Sequence, residues 1–188
     1  IHLESSMLSV PELCRNLVPL GTTAVVVDPH ELANVYGLDG IKFILESSET
    51  LPLTVFVMFP SCVPATTFET SGAVLKSDDM KAFVNHPRIL GLAEMMNYPG
   101  VIFGDPETLA KIEVFKDKIK DGHAPGLSGR ELTAYVNAGI GSDHECANLG
   151  EAQEKLNLGM RIMIREGSAA KNMNELLPLV NQHNSRNM

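Results

Sequence analysis

Thr22-Thr23-Ala24-Val25-Val26-Val27-Asp28, followed at once by Pro29-His30-Glu31, is the stretch that sets the fold class. Its β-branched centre shows no polar alternation, the pattern of a strand buried on both faces in a parallel sheet covered by helices. Asp28-Pro29 stops the strand, because proline has no N–H to give and restricts the residue before it. Thr54–Phe59 (TVFVMF) repeats the pattern and is closed by Pro60, and residues 89–94 (ILGLAE) form a third instance. Residues 118–122, 139–142 and 161–165 are shorter candidates.

Helix signals fill the intervals. Residues 31–49 carry Leu32, Val35, Tyr36, Ile41, Ile44 and Leu45 despite interrupting glycines. Asp105-Pro106-Glu107 supplies an N-cap, a first-turn proline and an acid for a helix through about Lys116. Ser128-Gly129-Arg130-Glu131 is close to a capping box for a helix ending near Ala138-Gly139. Residues 149–158 and 171–180 are further helix candidates. Strands recur roughly every 25–35 residues, the size of a βα unit. With a first strand ending near Ile1-His2-Leu3, about seven units are present, and an eighth strand is due where the chain stops. The predicted fold is α/β: a (β/α)8 TIM-type barrel, truncated, with residues 1–188 as one partial domain. A barrel short of a strand has open edges, so the chain reads as part of a larger object. The competing open doubly wound sheet lacks its glycine-rich phosphate loop after the first strand.

Composition narrows the partners. A formal net charge of −8 with no Lys/Arg cluster opposes a phosphate backbone, which argues against nucleic acid and leaves a neutral or cationic small molecule compatible. Cys14, Cys62 and Cys146 are far apart and odd in number, fitting a reducing, cytoplasmic setting rather than a disulfide framework. No apolar run approaches the roughly 20 residues of a membrane span. Ile1-His2-Leu3-Glu4 lacks the regions of a signal peptide, and also an initiator Met.

Side chains at the C-terminal ends of barrel strands face a common site. His2 and Glu4 follow the first strand, His30 and Glu31 the second, Glu94 the fourth, His123 the fifth, and Asp143, His144 and Glu145 the sixth. Imidazole and carboxylate arriving from separate strands is how a nitrogen/oxygen metal site is assembled. Any one of these histidines, taken singly, is more often a hydrogen-bonded loop residue than a ligand; several at equivalent strand ends weaken that reading. His86 precedes its strand and reads as structural, and His183 lies in a polar tail.

Ordered blocks along the whole chain resemble the microbial adenine deaminases of the metal-dependent amidohydrolase superfamily. They are His-Leu-Glu-Ser-Ser-Met (2–7), Asp-Pro-His-Glu (28–31), Pro-Ser-Cys-Val-Pro-Ala-Thr (60–66) and Gly-Leu-Ala-Glu-Met-Met-Asn (91–97). Asp-Gly-His-Ala-Pro-Gly (121–126), Ser-Asp-His-Glu-Cys (142–146) and Met-Ile-Arg-Glu-Gly-Ser-Ala-Ala-Lys-Asn (163–172) complete the series. The resemblance implies a barrel of the metal-dependent hydrolase kind holding two divalent metals (Mn, Fe or Zn). It makes His2 the second histidine of a His-x-His pair, Glu94 a bridging carboxylate, and His123 and His144 ligands of the second metal. Glu4, His30, Glu31 and Glu145 would lie in or beside the substrate pocket, with Glu31 or Glu145 as helpers to a strand-eight aspartate, a metal ligand and the leading candidate for proton transfer. Ser61, Cys62 and Val63 would belong to a loop over the purine. The first histidine of the pair, the strand-eight aspartate and the flanking β domain would fall outside this chain. The resemblance also implies a homodimer, and an isolated chain that is inactive.

The implied reaction is hydrolytic deamination of adenine to hypoxanthine and ammonia by a metal-bound hydroxide. Divalent metal lowers the pKa of water from near 16 to about 7, and a carboxylate moves protons to the base and the departing amine. The cytidine-deaminase pattern H-x-E with P-C-x-x-C is absent, as is a G-x-S-x-G nucleophile elbow. Ser128 reads as a helix cap, Lys171 as a solvated lysine, Cys146 as a buried thiol and the methionines 58, 95, 96 and 163 as core fillers. Two other readings stay open: another cyclic amidohydrolase on the same scaffold, or a non-catalytic metal- or purine-binding fragment.

Overall fold

Sheet pairing begins at the first residue. In the computed structural model, which describes residues 1–66, 68–168 and 170–188, the amine of Ile1 donates to Val26 O (2.8 Å) and its carbonyl accepts from Asp28 N–H (3.0 Å). Ala169, within the 163–172 block, lies outside the described residues. From Ile1 the chain passes through a short 3-10 turn at Glu4–Ser6 and helix α1 (Val10–Leu17) into β1 (Ala24–Val27). Then follow α2 (His30–Ser47), β2 (Thr54–Phe59), α3 (Ser77–Met80), β3 (Ile89–Met95), α4 (Tyr98–Phe103), α5 (Pro106–Val114) and β4 (Ile119–Gly122). The last part holds α6 (Gly129–Asn137), β5 (Ser142–Asp143), α7 (Leu149–Asn157), β6 (Arg161–Ile162) and α8 (Met173–Leu176).

Strands β1 to β4 form one curled parallel sheet in sequence order, and β5 pairs with β6 in a second parallel ladder. Gly141 N–H donates to Lys120 O (3.0 Å), carrying the pairing from β4 toward β5. A doubly wound sheet reverses its strand order at a switch point. This order runs without reversal, as barrel winding requires. The chain is therefore mixed α/β with a four-stranded parallel half-barrel extended by β5 and β6.

The core under the sheet joins Val55, Val57 and Phe59 of β2 to Leu92 of β3 and to Phe83 and Phe115, whose rings lie 5.4 and 6.0 Å from that of Phe59. Several local expectations shift for identifiable reasons. The run at 22–28 becomes a strand only over Ala24–Val27, and Val26 is 43% exposed rather than buried, because its outer edge meets Ile1 alone among the described residues. Gly139 takes φ +94° and closes α6 by donating to Val136 O, so the predicted strand at 139–142 begins at Ser142 instead. Helix α2 is broken at Gly37 (φ 60°, ψ −141°), packed against Ala73. The helix foreseen at 171–180 is cut to Met173–Leu176, with Pro178 held in the 3-10 turn Leu177–Leu179. Asp105 caps α5 as predicted, accepting from Thr108 N–H (2.8 Å), whereas Ser128 stands at the N-cap of α6 without a side-chain bond. Gly129 N–H is met by Glu154 Oε1 (2.7 Å). Among the described residues no helix is long and apolar enough to cross a membrane.

Gly91 and Gly122 let neighbouring strands approach: a Cβ on either would collide with the carbonyl of Ile119 or Ser142. We expect Gly91→Ala to destabilise the fold by about 1–3 kcal/mol through forced strand displacement. A urea unfolding midpoint equal to that of the unsubstituted protein would contradict this packing of β3 on β4.

Candidate metal centre

Glu94 is the next-to-last residue of β3, buried between Ala93 and Met95. Its two oxygens face different histidine pairs. Oε1 lies 3.4 Å from His2 Nε2 and 3.3 Å from His30 Nδ1, while Oε2 lies 2.7 Å from His123 Nδ1 and 2.9 Å from His144 Nε2. The structure thus brings together the four residues that the sequence singles out as ligands, and adds His30 and Asp28 to them. Two donor sets with metal-like spacing result: His2, Asp28, His30 and Glu94, and Glu94, His123 and His144, each with ligand atoms within 4.8 Å of one another.

The electrostatics follow from this crowding. Burial acts to raise the pKa of Glu94, but the hydrogen bonds and charges of His123 and His144 overcome it and hold the carboxyl well below the usual range. Burial acts to lower that of His30, yet Asp28, Glu94 and Glu4 bring it up to about 9. Burial likewise opposes protonation of His144, and Asp121 and Glu94 raise it to about 10. Burial raises Asp28 despite its bond to His30. The upward shifts of His30 and His144 come from the buried carboxylates they face, which call for positive charge beside them. The donor set fits divalent metal, and a further sign is Asp28 Oδ1, which is buried with no hydrogen-bond partner beside three candidate ligands.

Each candidate ligand is held by neighbours. His2 Nδ1 contacts Asp28 O (3.1 Å), and His30 Nδ1 contacts Asp28 Oδ2 (3.0 Å). Asp121, two residues before His123 in β4, accepts from Ser142 Oγ (2.7 Å) and lies 3.3 Å from His144 Nδ1, a carboxylate–histidine arrangement that orients the ring. The fully buried Tyr135 of α6 donates to Met95 O (2.8 Å) and accepts from His123 N–H (3.1 Å), tying the end of β3 to the end of β4.

Glu145 Oε1 lies 3.8 Å from His123 Nδ1 and 4.0 Å from His144 Nε2, fixed by Arg165 Nη1 at 2.7 Å. Glu4 accepts from Leu32 N–H (3.0 Å), and the exposed Glu31 accepts from Ser5 Oγ (2.8 Å). A cavity of about 320 Å³ adjoins the first pair, lined by His30, Glu31, Asn34, Cys62, Ala65 and Met96 together with Glu69. Of the 61–63 segment, Cys62 reaches this cavity, and burial pushes its thiol pKa up. Ser61 and Val63 turn inward: Ser61 Oγ donates to Glu94 O (2.6 Å), and Val63 packs in the core.

His86 accepts from Arg88 N–H (3.2 Å) away from this cluster, His183 and Lys171 are exposed, and Cys146 sits in a small apolar cluster with its thiol pushed up to about 12 by burial. Sequence reasoning passed over Asp28, Asp121, Arg165, Tyr135 and Asn34. Asp28 carried a usable signal, since it ends a strand just as Glu94 does, but Tyr135 on a helix carried none.

The profile of the amidohydrolase family matches residues 1–186, and the chain belongs to that family. Among its relatives, adenine deaminase 2 of Carboxydothermus hydrogenoformans is 54% identical over 97% of this chain and 32% of its own length. The adenine deaminase of Desulfatibacillum aliphaticivorans is 55% identical over 99% of this chain and 33% of its own. That of Kosmotoga olearia is 54% identical over 98% and 32%. The chain spans about a third of the length of the curated relatives it matches.

Removing the Tyr135 hydroxyl strands a buried carbonyl and an N–H at the base of the centre. Tyr135→Phe should lower stability by about 1–3 kcal/mol, read from the denaturant midpoint. No shift would mean that the hydroxyl bridge is not made.

Proposed function

We propose that the protein to which this chain belongs deaminates adenine hydrolytically, using a binuclear centre bridged by Glu94 within a complete (β/α)8 barrel. The observation that carries the reading is the division of the Glu94 carboxylate, one oxygen toward His2 and His30 and the other toward His123 and His144. The names of relatives at 54–55% identity supply the substrate. His2, His30 and Asp28 would hold one divalent ion with Glu94, and His123 and His144 the other. Mn, Fe and Zn all suit imidazole with carboxylate. When bound, such ions act as Lewis acids and bring the pKa of water down to about 7.

The chain's own residues supply the rest. The apolar and sulfur-bearing wall of Cys62, Ala65 and Met96 suits the flat face of a purine, and the cavity volume lies in the small-ligand range. Glu31 and Asn34 on the same wall offer polar atoms to the base edge. Water adds oxygen at C6 of adenine, the C6–N bond breaks, and hypoxanthine and ammonia result, so both protons of that water must be passed on, one to the ring nitrogen N1 and one to the departing amine. Glu145, beside both His123 and His144 and salt-bridged to Arg165, would be placed to relay such a proton, with Glu31 nearer the base. The family resemblance carries a homodimer and a cytoplasmic setting into the same reading.

Full-length protein loaded with Mn, Fe or Zn should release ammonia and hypoxanthine from adenine. Glu94→Gln should reduce kcat/KM by at least about a hundredfold, because an amide cannot serve two cations with two anionic oxygens. Turnover of another cyclic amide or amine, with adenine untouched, would remove the substrate assignment and leave the scaffold.

A further inference from the structure

We infer that Lys155 is a positioning residue for the second histidine pair, setting His123 against His144 through hydrogen bonds to the residues beside them. The inference rests on the binuclear reading above and goes beyond it, because Lys155 touches neither histidine. Lys155 lies on α7 and has no exposed surface. Lysine is almost never fully buried unless paired. Here every ammonium proton is used: Nζ donates to Asp143 Oδ2 (2.8 Å), Ala124 O (2.7 Å) and Glu151 Oε1 (2.7 Å).

The surrounding acceptors are saturated by backbone donors from the same two loops. Asp143 accepts from Ala124 N–H (3.1 Å) and Glu145 N–H (2.6 Å), and Glu151 accepts from Gly126 N–H (2.8 Å) and Ala147 N–H (3.1 Å). Ala124 directly follows His123, and Asp143 directly precedes His144. One buried cation therefore fastens the backbone next to each ligand to a single helix. Because Ala124 and Asp143 are joined to His123 and His144 by planar peptide units, displacing either shifts the backbone from which the adjoining imidazole projects.

A buried charge is seldom needed for stability alone, since apolar residues of like volume serve as well or better. Its use here is directional. Among the described residues, no hydrogen bond joins this cluster to His2, Asp28 or His30. Loss of the ammonium should thus loosen one metal position and spare the other.

The test is titration of metal-free, full-length protein with Mn²⁺, followed by calorimetry and elemental analysis. Unsubstituted protein should take two equivalents; a single equivalent would overturn the binuclear reading itself, and this inference with it. With two equivalents established, Lys155→Met should leave the affinity of one equivalent unchanged and weaken the other by about 10–100-fold. Two equivalents bound as tightly as before, or both weakened alike, would overturn the positioning role while leaving the binuclear reading in place. Should Lys155→Met fail to fold by circular dichroism, Glu151→Gln keeps the side-chain shape and the ammonium. It should weaken one equivalent by several-fold more than the other, and an equal effect on both would likewise overturn the inference.

Discussion

One buried carboxylate governs this structure. Glu94 is nearly shielded from water, four imidazoles converge on it, and the hydrogen bonds and charges of two of them, His123 and His144, overcome its burial and hold it as an anion. An isolated carboxylate in that position would be expensive, so the strand ends that carry the histidines must arrive together and in register. The close approach of β3 to β4 at Gly91, and of β4 to β5 at Gly122, follows from that need. Side chains at these positions would hold the strands apart and draw His123 and His144 away from Glu94.

The parts of the fold legible in the sequence were those with punctuation of their own. Thr54–Phe59 ends at Pro60, and Asp105-Pro106 starts a helix, because proline and a capping carboxylate act on the local backbone whatever surrounds them. Elements defined by tertiary pairing were read less well. Strands β5 and β6 are two residues each, too short for any periodicity, and exist because Ser142 and Asp143 find partners at Arg161 and Ile162. Strand β1 looked fully buried because a run of valines records average burial, whereas Val26 depends on what lies beyond its own edge.

The candidate site divides in the same way. His2, Glu94, His123 and His144 stood out because they end strands, and strand ends of a parallel barrel share one face. Asp121, Tyr135 and Lys155 act from behind those residues. Their partners are ring nitrogens, main-chain groups and carboxylates lying 12 to 40 residues away. Only a folded backbone defines such pairings. His30 was assigned to substrate from the resemblance, and its geometry gives it two faces at once, one on the cavity and one on the first donor set.

That double position ties the metal reading to the purine reading. The half of the centre around His123 and His144 has its anchoring carboxylates saturated: Asp143 and Glu151 accept from main-chain N–H groups and Lys155, and Asp121 accepts from Ser142. The unpartnered buried acceptors lie toward the other half, at Asp28 Oδ1, Glu4 Oε2 and Asn34 Oδ1, with Arg165 Nε the unpartnered donor among the described residues. Each stranded acceptor costs about 1–3 kcal/mol, and all three call for a cation or an N–H donor. On the proposed reading a divalent ion would answer Asp28, and the N–H edge of a purine would answer Asn34 on the cavity wall. These acceptors lie on the half of the cluster that adjoins the cavity, the arrangement the proposed reading requires if substrate is to meet metal there.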